Sequence, residues 1–214
     1  MEIFRDIGFS VIYDSQRIFR IVLDCMARPG KINQLPHSGL RAPQGANPYI
    51  LAVLRTVLDQ QVSFFVIAKS PKLCEAIRSY LTLNTGSCTC ELEKADFVYS
   101  VEPNTNGQIS HLKRGSVMAP EGSATMIYDV ERITAQEDGT VRNPQDSAAT
   151  YLLLNGPGIY GERRVGVYAP GFPDEIADLI KTRAPFPLGV DAVLVDREGG
   201  VIGLPRTTKI AVQG

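Results

Sequence analysis

Residues 184–209 read Ala184-Pro-Phe-Pro-Leu-Gly-Val-Asp191, Ala192-Val-Leu-Val195, then, after Asp196, Arg197-Glu-Gly-Gly200 and Val201-Ile-Gly-Leu-Pro-Arg-Thr-Thr-Lys209. Two prolines and a glycine constrain the backbone at the entry. Four consecutive apolar residues follow, the mark of a strand buried on both faces. A glycine-rich turn and a second apolar run predict a strand–turn–strand unit. Its exit is cationic, with Arg206 and Lys209 flanking two threonines. No other part of the chain concentrates backbone constraint and charge so closely.

The elements around this unit alternate between helix and strand. Pro173–Arg183 predicts a helix, opened by a proline, acidic in its first turn and basic in its last, with Ile176, Leu179 and Ile180 as its buried stripe. Ala149–Leu154 and Val165–Tyr168 read as strands, and Ser123–Ile133 as one strand near a sheet edge. Asp138-Gly139 marks a turn. Earlier in the chain, Ala95–Val101 and Val62–Ala68 are strand-like. Helices are predicted from Asp14 to Ala27, from Tyr49 to Gln60 and from Lys72 to Leu83. Asp14 and Ser70 are the expected N-caps, and Pro29-Gly30 stops the first helix. Ile18, Phe19, Val22, Leu23 and Met26 make that helix's apolar stripe, while residues 33–48, rich in proline and glycine, form a loop. The pattern predicts one α/β domain over residues 1–214: a mixed sheet covered by helices on both faces, in three layers.

Composition narrows the function. The 214 residues carry a net charge of -1, with 44% hydrophobic and 21% charged residues. Such a balance gives no general attraction to nucleic acid or to an anionic membrane. No apolar run approaches the ~18 residues of a spanning helix, and the first residues lack a signal-peptide layout, so a cytoplasmic protein is expected. The four cysteines, Cys25, Cys74, Cys88 and Cys90, are read as buried or partly buried free thiols. Cys88-Thr-Cys90 lacks the spacing and partners of a zinc site, and no metal is expected. Phosphate-loop, dinucleotide, zinc-protease and nucleophile-elbow motifs are all missing, and there are only two histidines, His37 and His111. A self-sufficient hydrolase is thereby disfavoured, and no catalytic residue is assigned.

Binding candidates remain. Arg28 ends the first helix, where a cation also complements the helix dipole. Asn155-Gly-Pro-Gly158 closes a strand; the N–H groups of Gly156 and Gly158 could cradle an anion, or the glycines could serve a tight turn. Arg206 with the Thr208 hydroxyl suits a phosphate, and Lys209 adds charge; the alternative is a charged edge strand facing solvent. In extended geometry Arg206 and Lys209 would lie on opposite faces. Asp191 calls for a partner, for which Arg206 is the candidate. Asp59 stands in a similar position before a strand, and Glu121 lies in a loop.

Six stretches occur together and in order: Asp14-Ser-Gln-Arg-Ile-Phe-Arg20 with Met26-Ala-Arg-Pro-Gly30, Pro120-Glu-Gly-Ser-Ala-Thr125, Asn155-Gly-Pro-Gly-Ile159, Phe186-Pro-Leu-Gly-Val-Asp191 and Leu204-Pro-Arg-Thr-Thr-Lys209. The set resembles the PhnH family, the H subunit of the bacterial carbon–phosphorus lyase core complex. Residues 83–93 have no counterpart in it and read as a variable loop. The resemblance implies the fold of the large domain of pyridoxal-phosphate-dependent transferases without the cofactor. It implies a homodimer assembled with G, I and J subunits, and an accessory part in converting ATP and a phosphonate into a ribose 1-phosphonate 5-triphosphate. Contact with ATP or a phosphonate is conceivable on this reading. The alternatives are a stand-alone nucleotide- or phosphate-binding enzyme and a subunit that only docks partners.

Overall fold

The computed structural model describes residues 8–37, 39–135 and 149–213. In chain order the elements are α1 (Tyr13–Ala27), β1 (Asn33–Gln34), α2 (Pro48–Val57), β2 (Ser63–Ile67), α3 (Pro71–Thr85), β3 (Cys88–Thr89), β4 (Phe97–Ser100), β5 (Thr125–Asp129), β6 (Arg132–Ala135), β7 (Ala149–Asn155), β8 (Arg163–Tyr168), α4 (Phe172–Thr182), β9 (Asp191–Val195), β10 (Gly200–Leu204) and β11 (Lys209–Gln213). The strand–turn–strand unit is β9 and β10, paired antiparallel with Val201 opposite Val195 and Leu204 opposite Ala192. The turn between them is built on Asp196, whose Oδ1 accepts the Glu198 N–H at 2.9 Å and the Gly200 N–H at 2.7 Å.

Local chemistry sets most helix ends. Asn47 accepts the Tyr49 N–H at 3.0 Å ahead of Pro48, and Ser70 accepts the Leu73 N–H at 3.3 Å ahead of Pro71. Asp14, by contrast, is not the N-cap of α1. It lies within the first turn and its carboxylate reaches back to the Ser10 N–H at 2.7 Å, while Ser10 Oγ accepts the Tyr13 N–H at 3.2 Å. This reciprocal exchange resembles a capping box displaced by one turn.

The main sheet has seven strands in the order β1-β10-β9-β5-β4-β2-β3. β9, β5, β4, β2 and β3 run parallel, and β10 and β1 close one edge antiparallel. A second, wholly antiparallel sheet has the order β11-β7-β8-β6. Three of its strands, β6, β7 and β8, are inserted with α4 in the connection from β5 to β9, and β11 joins from the C-terminal end. Two sequence expectations are corrected here. Ser123–Ile133 is not one edge strand: β5 is central in the main sheet, and the chain leaves at Val130-Glu131 to enter the second sheet as β6. Residues 83–93 are not simply a loop, since Cys88-Thr89 is the β3 edge strand and Cys88 is exposed.

Side-chain alternation along the hairpin shows the layers. Val193, Val195 and Val201 join Ile18, Ile50, Leu54, Ile77 and Leu81 from α1, α2 and α3. Ala192, Leu194, Ile202 and Leu204 join Leu152, Leu154, Val165, Phe172, Ile176 and Leu179 from β7, β8 and α4. Helices alone therefore do not cover both faces. One face carries α1–α3; the other carries the second sheet and α4. The reason is the short, alternating 149–168 region, which pairs with itself and buries one apolar face against the main sheet.

Two contacts hold the layers at close range. Gly203 lies under α1, where an added Cβ would stand 2.6 Å from the carbonyl oxygen of Cys25. Only glycine admits helix backbone that near a strand. On the opposite face Glu175 of α4 is buried and accepts the Tyr128 hydroxyl at 2.6 Å, the Thr105 N–H at 2.7 Å and the Thr105 hydroxyl at 2.9 Å. Burial, and then the Glu175 charge, push the Tyr128 hydroxyl pKa well above its usual value. The sequence placed Glu175 at the helix N-terminus for its dipole; in the fold it is an acceptor shared by three donors.

Gly203→Ala is expected to cost about 2 kcal/mol by overpacking α1 against β10, a fall in Tm of about 4–8 °C for a chain of this size. Glu175→Gln replaces one acceptor by a donor among donors and is expected to cost about 2–3 kcal/mol. Thermal unfolding followed by circular dichroism tests both.

Candidate functional site

The predicted partnership of Asp191 and Arg206 is present. Asp191 opens β9, and its Oδ1 accepts the Arg206 backbone N–H at 2.7 Å while its Oδ2 lies 3.0 Å from Arg206 Nη2. Arg206 Nη1 donates to the carbonyl of Pro120. One carboxylate and one guanidinium thus tie the start of β9, the exit of β10 and the 120–122 turn together. The exit itself is not extended. The Thr208 N–H donates to the Pro205 carbonyl at 2.8 Å, closing a turn before β11 joins the second sheet. The expected separation of Arg206 and Lys209 onto opposite faces fails for that reason, because strand alternation does not operate through a turn.

Arg206, Thr207, Thr208 and Lys209 accordingly line one cleft of about 570 Å³, with Ile180, Arg183 and Phe186 across from them. Arg183 is the residue that sequence reasoning missed. It was expected as a last-turn cation complementing the α4 dipole, and in the fold it is only 8% exposed. Its Nε donates to the Val190 carbonyl at 3.0 Å and its Nη2 to the Leu204 carbonyl at 2.5 Å. Burial pulls its pKa down to about 10, with Asp191 opposing the shift, so it stays charged at neutral pH. The only sequence hint was its position directly before the Ala-Pro-Phe-Pro entry, which brings the chain straight back over it. No carboxylate, histidine or cysteine is among the described residues that line the cleft. Its guanidinium, ammonium and hydroxyl groups are donors suited to an anion.

The other predicted residues fall at varying distances from this centre. Gly156 and Gly158 belong to the turn after β7, beside the cleft, with Pro157 lining it. An added Cβ on Gly156 would stand 2.9 Å from the Thr207 carbonyl oxygen, and one on Gly158 would stand 2.1 Å from that of Ala27. Close packing of the 155–158 turn against the 205–208 turn and against the end of α1 thus requires both glycines. Arg28 pairs with Asp24 one turn earlier in α1. Glu121 is exposed, next to the Pro120 carbonyl that Arg206 grips. Asp59 is exposed ahead of β2 and accepts the Gln61 N–H at 2.8 Å; β5 and β4 separate its strand from β9.

A second polar cluster sits at the opposite, carboxyl end of the parallel strands. Asn47 Nδ2 donates at 3.2 Å to Asp129 Oδ1 and at 3.2 Å to the Asp196 carbonyl, and the Asn47 N–H reaches the Tyr99 hydroxyl at 3.3 Å. Asp129 is buried, and its Oδ2 has no hydrogen-bond partner among the described residues. Burial is the largest influence and raises its carboxyl pKa, against the Asn47 hydrogen bond and the nearby Arg197. Among the described residues no group of three or more His, Cys, Asp or Glu side chains could hold a metal ion, and no helix is long and apolar enough to cross a membrane.

A carboxyl whose pKa is raised by folding contributes stability below its unfolded value that is lost as pH rises through the folded one. Asp129→Asn removes that loss. The variant's Tm relative to the parent chain is therefore expected to be higher at pH 7.5 than at pH 4, and a difference that does not grow with pH would refute the assignment.

Comparison with known proteins accounts for the ordered motifs. A model of the family described as bacterial phosphonate metabolism protein (PhnH) matches residues 8–211. The alpha-D-ribose 1-methylphosphonate 5-triphosphate synthase subunit PhnH of Rhizobium meliloti (strain 1021) is 28% identical over 202 residues, covering 93% of this chain and 91% of that protein. The Asp191–Arg206 tie, the Asn155–Gly158 turn and the glycine- and proline-constrained entry to β9 lie within the matched region, and the chain belongs to the PhnH family of bacterial phosphonate metabolism proteins.

Proposed function

We propose that this chain is the H-type subunit of an assembly that makes ribose 1-alkylphosphonate 5-triphosphate from ATP and a phosphonate, in the carbon–phosphorus lyase route of phosphonate breakdown. The observation that carries this is the family match across residues 8–211, with a relative named as a subunit of such a synthase. Its part is accessory: the described cleft offers cations and hydroxyls with no carboxylate, histidine or cysteine, and the covalent chemistry falls to other subunits. The same reading carries a cytoplasmic location, a homodimer and docking to G, I and J subunits. It also carries a likeness to the large domain of pyridoxal-phosphate-dependent transferases. No pyridoxal phosphate is expected to be bound.

Surface features support a docking chain. α1 leaves Ile12, Phe19 and Leu23 on one stripe at 76%, 52% and 57% exposure. Val117, Met118, Tyr160 and Phe186 are exposed on loops. The α1 stripe is contiguous along one helix face, and a partner surface is its natural cover.

Co-expression with G, I and J subunits followed by size-exclusion chromatography is expected to yield a single co-migrating assembly. Separate elution of this chain would reject the reading. Phe19→Asp with Leu23→Asp is expected to shift the chain's elution to a smaller species. The Tm should change by no more than about 2 °C, because exposed side chains contribute little to the monomer's own stability.

A further inference from the structure

The cleft beside β11 holds donors that the fold itself does not use. Arg183 has two nitrogens on backbone carbonyls, but its Nη1 has no hydrogen-bond partner among the described residues. Thr208 is 4% exposed, and its Oγ1 likewise has none. Carbonyl partners satisfy an N–H without neutralising the charge behind it. Of the three cations lining the cleft, Arg206 is ion-paired with Asp191; Arg183 and Lys209 have no carboxylate within ion-pair distance among the described residues. A buried guanidinium nitrogen and a buried hydroxyl lining the same cleft, both without hydrogen-bond partners, are unfavourable as pure structure. Native proteins satisfy nearly all such groups, and exceptions concentrate at functional sites.

We propose that this cleft binds a small organic oxyanion with a tetrahedral head. Arg183, Thr208 and Lys209 take the head group, and Ile180, Phe186 and Ile210 flank its apolar portion. Guanidinium, hydroxyl and ammonium arise from three separate positions, which suits a three-oxygen phosphonate or phosphate better than a planar carboxylate. The volume, about 570 Å³, is that of a small-molecule site with apolar walls and a few polar groups. The two unpartnered atoms are shielded from solvent, so binding is accompanied by a side-chain rearrangement, a small one for a hydroxyl on a single rotatable bond. Only the choice of a phosphonate as probe rests on the family reading.

Calorimetry of the isolated chain against phenylphosphonate, inorganic phosphate and benzoate tests the site. Phenylphosphonate is expected to bind, about tenfold more tightly than either of the others, each of which lacks one half of the match. Thr208→Val and Lys209→Gln are each expected to weaken phenylphosphonate binding about tenfold. Without ligand, Thr208→Val should leave Tm unchanged or raise it, since it removes an unpartnered buried hydroxyl. A fall in Tm would mean that Thr208 serves the fold, and overturns the proposal. It is overturned equally by no heat at millimolar phenylphosphonate, by benzoate binding as tightly, or by unchanged affinity in both variants. A chain that binds phenylphosphonate yet fails to join the G, I and J subunits would keep the site and refute the assembly.

Discussion

The carboxylate of Asp191 is the fixed point of this molecule. It accepts from both the backbone and the guanidinium of Arg206, so the start of β9 and the exit of β10 cannot separate without exposing two half-satisfied charges. Both side chains are about 15% exposed, and a pair at that depth is only weakly screened by salt. From this tie the 120–122 turn is held through Pro120, and the 205–208 turn is aimed so that β11 reaches the second sheet. Arg183 completes the arrangement from below, joining the Val190 and Leu204 carbonyls on the two strands that Asp191 and Arg206 clasp.

That geometry governs the layers. β9 pairs parallel with β5 on one side and antiparallel with β10 on the other, so the change of strand direction lies inside the sheet. The β5-to-β9 connection is long enough to contain β6, β7, β8 and α4, and it covers one face of the sheet that it connects. The other face is left to α1, α2 and α3, with α1 brought down onto β10 where Gly203 has no side chain. Glu175 then fixes α4 against β5 through Tyr128.

Polar groups gather at both ends of the parallel strands. The amino end has Arg183, Arg206 and Lys209 around one cleft. The carboxyl end has buried Asp129 beneath Asn47. The exposed apolar stripe on α1 and the loop residues Met118 and Tyr160 are surfaces that an assembly would bury.

Local rules made much of this legible from the residues alone. Ser70 with Pro71, the alternation of apolar runs and the glycine-rich Arg197–Gly200 turn are short-range devices, and each produced the element it predicts. The Asp191–Arg206 partnership was legible because a hairpin of that length returns one residue beside the other. What residues could not reveal was where each strand would lie. β5 and β6 form a continuous β-rich run in sequence, and only packing decides that the chain changes sheets at Val130. Phe19 and Leu23 follow a helical apolar period yet face outward, because α1 packs on its Ile18 and Cys25 side. Asp138-Gly139, read as a turn, lies outside the described residues. Arg183 was an ordinary last-turn cation until the returning chain enclosed it. Burial is a property of neighbours brought from afar, so the residues alone carried the local devices and the family resemblance, while packing chose the sheet each strand joined, which charges lost their water and which polar atoms were left without partners.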